Sequence, residues 1–159
     1  MIRGTGGSGQ GKRGFSQGAF AKSGPGSRVV WCDGSKAGWD TFMREKWGWN
    51  FHLFIRRIML GEVAVPLERM SSMLAQRLQE MELPWTQEAR KGLASFLVQS
   101  LLEGNENRIL VTEEIGCGIV PADPFERMYR EETGRVCCLA AAEARQVWRV
   151  CCGLGQRIK

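Results

Sequence analysis

Near the start of the chain, Gly6-Gly7-Ser8-Gly9-Gln10-Gly11-Lys12 has the spacing GxxxxGK. Glycines let successive backbone N–H groups turn inward on an anion, and a lysine at this distance reaches the terminal phosphates of a nucleotide. The nucleotide-binding set read from this stretch is Gly6, Gly7, Ser8, Gly9, Gln10, Gly11, Lys12 and Arg13, with GTP or ATP as the ligand. Arg13 stands where such loops carry the Ser or Thr whose hydroxyl binds magnesium. Its guanidinium offsets phosphate charge but ligates no cation, so the Mg²⁺ expected with the nucleotide must rest on other groups, or on phosphates and water. No residue is assigned as a metal ligand.

Two other readings of the segment compete. Gly4-Thr5-Gly6-Gly7-Ser8-Gly9 matches GxGxxG, and Asp33 lies near the spacing of a ribose-binding acid, which describes a Rossmann-type dinucleotide site. Nine glycines within the first 27 residues also describe a flexible segment.

Phosphoryl transfer needs charge neutralisation on the phosphates and a group that orients or deprotonates the attacking hydroxyl. Lys12 and the loop backbone meet the first need. Glu114, at the end of an apolar run, is the carboxylate chosen for a metal-linked or proton-accepting role; Glu113 beside it and Asp33 are the alternatives. Lys12 and Glu114 are thus the expected catalytic pair. Arg127 and Arg130 share a helix face and, with Arg135, form either an anion-meeting set or a solvated basic face. His52 is the only histidine, and its place on an apolar helix predicts a packed or partner-facing ring.

These groups need strands ending in loops. Strands are expected at Met1–Thr5, Arg28–Cys32, Arg108–Val111 and Val147–Cys152, with a short edge strand at Gln156–Ile158. Helices are expected at Lys12–Ala21, from Trp47 to about Gly61, at Pro66–Met81, Thr86–Leu102 and Asp123–Ala144. Strands alternating with helices predict a three-layer α/β fold with a mostly parallel sheet, whose ligands bind at the carboxyl ends of the strands.

A length of 159 residues predicts a single domain, 1–159, and 43% hydrophobic with 25% charged residues is a globular composition. No apolar stretch is long enough to span a bilayer and the basic, glycine-rich start lacks a secretory apolar core, so the cytoplasm is the expected location. The six cysteines, two pairs of them adjacent, contain no CxxC hook and are expected as reduced thiols. A net charge of +5 favours anionic partners. Five of the six tryptophans fall between Trp31 and Trp85, at spacings that suit packing more than base stacking, so nucleic acid is not an expected partner.

The run from Arg108 to Pro121, R-I-L-V-T-E-E-I-G-C-G-I-V-P, resembles the V-L-V-x-N-E-V-G-x-G-I-V-P signature of the adenosylcobinamide kinase/adenosylcobinamide-phosphate guanylyltransferase family, with Glu113 in place of Asn. The resemblance continues through Phe125–Arg130, Gly134-Arg135, Val147–Val150, Gly153–Gly155 and Arg157–Lys159, and includes Gly6 through Phe15. It implies a RecA-like P-loop fold, a corrinoid ligand, an oligomer, and NTP-dependent phosphorylation of the aminopropanol hydroxyl of adenosylcobinamide in cobalamin biosynthesis. Family members with both activities also transfer GMP through a histidine. The segment holding that histidine has no counterpart here, so guanylyl transfer is not expected of His52. The principal alternative is a non-catalytic nucleotide- or corrinoid-binding module.

Overall fold

In a computed structural model, residues 1–21, 28–69, 87–103 and 105–159 are described. The described strands are β1 (Ile2–Thr5), β2 (Cys32–Asp33), β3 (Trp47–Trp49), β4 (Ile109–Val111), β5 (Gln146–Cys151) and β6 (Leu154–Arg157). The helices are α1 (Lys12–Phe20), α2 (Trp39–Arg44), α3 (Phe51–Met59), α4 (Gln87–Leu102) and α5 (Pro124–Glu143). Together the strands form one sheet of order β2-β3-β4-β1-β5-β6, parallel except for the β5–β6 hairpin.

Alternation along β1 divides the helices between the two faces. Gly4 faces α1, where a Cβ would come within 3.3 Å of Ser16 Oγ. Arg3 points the other way and donates to the Cys137 carbonyl of α5 at 2.6 Å. The sheet is therefore the middle of three layers, as the alternating pattern predicts.

The core lies on the Arg3 face. Phe51, Phe54, Ile55, Ile58 and Met59 form the buried stripe of α3, at the three- and four-residue steps visible in the sequence. Phe54 stacks on Phe42 of α2 with ring centroids 4.1 Å apart, and Trp39 stacks on Phe96 of α4 at 5.5 Å. Arg108, fully enclosed, donates to the Phe42 carbonyl at 2.8 Å, and burial lowers its pKa to about 10. α5 starts where its sequence says it should: Asp123 accepts from the Glu126 N–H at 2.9 Å, with Pro124 in the first turn.

Three expectations change. Of the expected Arg28–Cys32 strand only Cys32 pairs with a neighbour, Gly48 of β3, and the pairing runs on to Asp33 opposite Trp49. Trp47, Gly48 and Trp49 form that strand, not a helix start; α3 begins after Asn50, which takes a left-handed conformation at φ 54°. Helix α2 has no counterpart among the expected helices. Of Pro66–Met81, residues 67–69 form one 3-10 turn and 70–81 lie outside the described residues. Among the described residues no helix is long and apolar enough to cross a membrane.

Phe54→Ala should lower unfolding free energy by about 3–5 kcal/mol, since it empties the middle of the aromatic stack. Urea denaturation followed by circular dichroism measures it.

Candidate functional site

β1 delivers the glycine-rich loop to the carboxyl edge of the sheet. Gly6 has φ 151°, and a Cβ there would lie 2.2 Å from the Val150 carbonyl oxygen, so only glycine fits between β1 and β5. Gly11, at φ 77°, is the N-cap residue of α1 and lies against Gly153 of the β5–β6 turn. The turn is also hydrogen-bonded to the loop: Gln10 accepts from the Cys152 N–H through its side chain at 2.7 Å and from the Gly153 N–H through its carbonyl at 2.9 Å. α1 has no acidic residue in its first turn and no side-chain cap, so its first N–H groups and positive dipole end face the loop.

Lys12 is buried at 8% exposure, donates to the Gly7 carbonyl at 2.6 Å and lies 3.7 Å from Glu113 Oε1. Glu113 follows β4. Its backbone N–H donates to His52 Nδ1 at 3.4 Å, and its Oε2 is 3.8 Å from His52 Nε2. An imidazole that accepts at Nδ1 and faces a carboxylate at Nε2 is the neutral Nε2–H tautomer. Burial pushes the His52 pKa down; Glu113 opposes that and Lys12 adds to it. Lys12, Glu113 and His52, contributed by three elements, therefore form one group in which the lysine and the histidine are buried and the carboxylate is partly exposed. With Arg13, Trp49, Asn50 and Thr112 they surround or abut a cavity of about 190 Å³. That is below the roughly 300–1,000 Å³ of a whole small-molecule site and suits a phosphate chain better than an entire nucleotide.

The other sequence-derived candidates lie elsewhere. Glu114 turns away from Glu113, places its Oε2 3.2 Å from Arg149 Nη2, and lines a wider cleft of about 720 Å³ with Gly7, Gln10 and Cys152. Its backbone N–H donates to the Gly6 carbonyl at 3.2 Å. Asp33 ends β2 and accepts from the Ser35 N–H and the Asn50 amide, each at 2.9 Å. Burial opposes its charge, but these bonds prevail and hold the carboxyl below its usual range. Asp33 thus orients Asn50 and does not line the cavity. Arg130 grips the carbonyls of Ile115, Cys117 and Ile119, and Arg127 those of Pro121 and Ala122, so both hold the glycine-containing loop after Glu114. Arg135 pairs with Glu131 and Glu132 along α5.

The sequence model of the family described as cobinamide kinase / cobinamide phosphate guanyltransferase matches residues 36–158. The glycine-rich loop lies ahead of that stretch. The chain is 37% identical over 79 residues to the bifunctional adenosylcobalamin biosynthesis protein CobU of Escherichia coli K12, covering 47% of this chain and 44% of that protein. To the protein of the same name from Salmonella typhimurium it is 47% identical over 51 residues, 32% of this chain and 28% of the relative. The chain thus spans less than half the length of the curated relatives it matches.

The lowered pKa of His52 gives acid sensitivity a sign. As pH falls below the ordinary histidine value of 6.5, the unfolded chain takes up a proton that the folded chain resists, so stability drops from there down to the depressed folded value. His52→Gln should flatten this part of the acid limb in urea melts between pH 7.5 and 5. The single histidine signal in an NMR titration should move with a midpoint below 6.5; a midpoint at or above it contradicts the buried neutral ring.

Proposed function

The chain belongs to the cobinamide kinase / cobinamide phosphate guanyltransferase family, and from that premise we propose that it acts in adenosylcobalamin biosynthesis by phosphorylating the aminopropanol hydroxyl of adenosylcobinamide from GTP or ATP. The observation that carries this reading is the convergence of Lys12 and Glu113 at the mouth of a loop shaped by Gly6, Gly9 and Gly11. The loop N–H groups and the start of α1 hold the phosphates, and Lys12 exchanges its present partner, the Gly7 carbonyl, for the terminal phosphate. That exchange releases Glu113 from the ammonium.

Glu113, and not Glu114, is the carboxylate we assign to the acceptor. The hydroxyl oxygen bonds to the γ-phosphorus, the bond from that phosphorus to the β,γ-bridging oxygen breaks, the nucleoside diphosphate leaves, and the hydroxyl proton passes to the Glu113 carboxylate. His52 keeps that carboxylate in place through the Glu113 backbone N–H. The wider cleft beside the loop shares Gly7 and Gln10 with it and can take part of a bulky acceptor such as a corrinoid. Guanylyl transfer is not part of this proposal: the only histidine is 5% exposed and its Nδ1 lone pair is engaged.

A second reading, a nucleotide- or corrinoid-binding module without turnover, is favoured by one observation, the arginine at the position of the magnesium-binding hydroxyl.

Nucleotide binding and phosphate transfer to adenosylcobinamide separate the two. Lys12→Ala should weaken GTP and ATP binding at least about tenfold. Glu113→Gln should lower turnover by about 10²–10⁴ while leaving nucleotide affinity within about threefold. Binding without transfer by the parent selects the module, and a larger loss from Glu114→Gln than from Glu113→Gln reverses the assignment of the carboxylate.

A further inference from the structure

P-loop nucleotide-binding proteins hold magnesium through the hydroxyl after the loop lysine and through an acidic side chain nearby. The side chains around this cavity do not fit that ion. Arg13 replaces the hydroxyl. Among the described residues Glu113 is the one carboxylate lining the cavity, and in the reaction proposed above it faces the acceptor hydroxyl. Asn50, which follows β3, is neutral, and its amide nitrogen is committed to Asp33. No group of three or more His, Cys, Asp and Glu among the described residues is placed to hold a metal ion.

What the cavity has is a fixed organic cation. Arg13 Cζ lies 4.4 Å from the ring centroid of Trp49 and 5.5 Å from that of Trp31. Trp31 in turn packs edge-on against Trp47, at 5.1 Å and 69°, so the aromatic support is tied into the sheet under α1. The guanidinium is exposed, and no carboxylate among the described residues pairs with it. It projects from the first turn of α1, at the helix end that favours anions. Indole faces hold a guanidinium by electrostatic attraction without using its N–H donors, and those donors match two phosphate oxygens at once.

We propose that Arg13, held over Trp49 and Trp31, takes the charge-neutralising place of the divalent cation, so that this loop binds the phosphates of a nucleoside triphosphate without magnesium. The inference rests on the nucleotide-binding reading given above. Lys12 and Arg13 set two positive charges of the fold itself against the phosphate chain, so binding needs no ion from solution.

The test is titration of the whole protein with GTP and with ATP, in excess magnesium and in excess EDTA. Affinity should agree within about threefold between the two buffers. Arg13→Ser, which restores a hydroxyl, should bind at least about tenfold more weakly in EDTA and regain affinity on adding magnesium. Trp49→Leu, which leaves Arg13 but removes its support, should also weaken binding in EDTA; thermal melts of both variants separate loss of the site from loss of the fold. A parent that loses its affinity in EDTA overturns the role given to Arg13 while leaving the nucleotide-binding reading intact. A parent that binds neither nucleotide in either buffer overturns that reading, and this inference with it.

Discussion

Four residues of β1 carry the weight of the site. Ile2–Thr5 pair in parallel with β4 on one side and β5 on the other, so the chain that leaves β1 emerges between two neighbours whose carboxyl ends point the same way. Parallel pairing gathers the carboxyl ends of β1 to β5 at one edge. The glycine-rich loop, Glu113 and Glu114, and the β5–β6 turn are adjacent for that reason alone. Arg3 anchors the strand to α5 on one face, and Gly4 admits α1 on the other. A register shift of one residue would exchange those faces and move Arg3 into the α1 layer.

Within that frame the chemistry is decided by which groups share a buried space. Lys12 at 8% exposure needs an anionic or carbonyl partner, and it has both in Gly7 and Glu113. His52 stays neutral because burial outweighs the pull of Glu113, and Lys12 reinforces that result. A charged imidazole in the same place would compete with Lys12 for a single carboxylate. The three side chains are therefore already gathered in one place before any ligand arrives.

Local signals were legible in the sequence and long-range ones were not. The loop could be read because its glycines are required by backbone geometry within a few residues of one another, as Gly6 and Gly11 show. α5 could be read from Asp123 and Pro124, and α3 from its apolar stripe. β3 could not: three residues, two of them tryptophan, carry too little period to distinguish strand from helix. The choice between Glu113 and Glu114 depended on which of two adjacent side chains faces the cavity, and that follows from the path of the chain after β4. His52 and Glu113, 61 positions apart, meet only because β3 and β4 are neighbours, a fact of topology that spacing along the chain does not encode.

The hydrogen bonds from the β5–β6 turn to Gln10 also order events in time. Gln10 and Cys152 are separated by 142 positions, and Gly11 is shaped against Gly153 across a similar distance. Contacts of such long sequence separation form late, because the intervening chain must be closed into a loop before they contribute anything. On a ribosome the glycine-rich loop is made well before the β5–β6 hairpin, and it lacks its scaffold until that hairpin has been synthesised and has docked. The part of the site made earliest is thus completed last, and partly folded chains would have the lysine without the geometry that gives it a use.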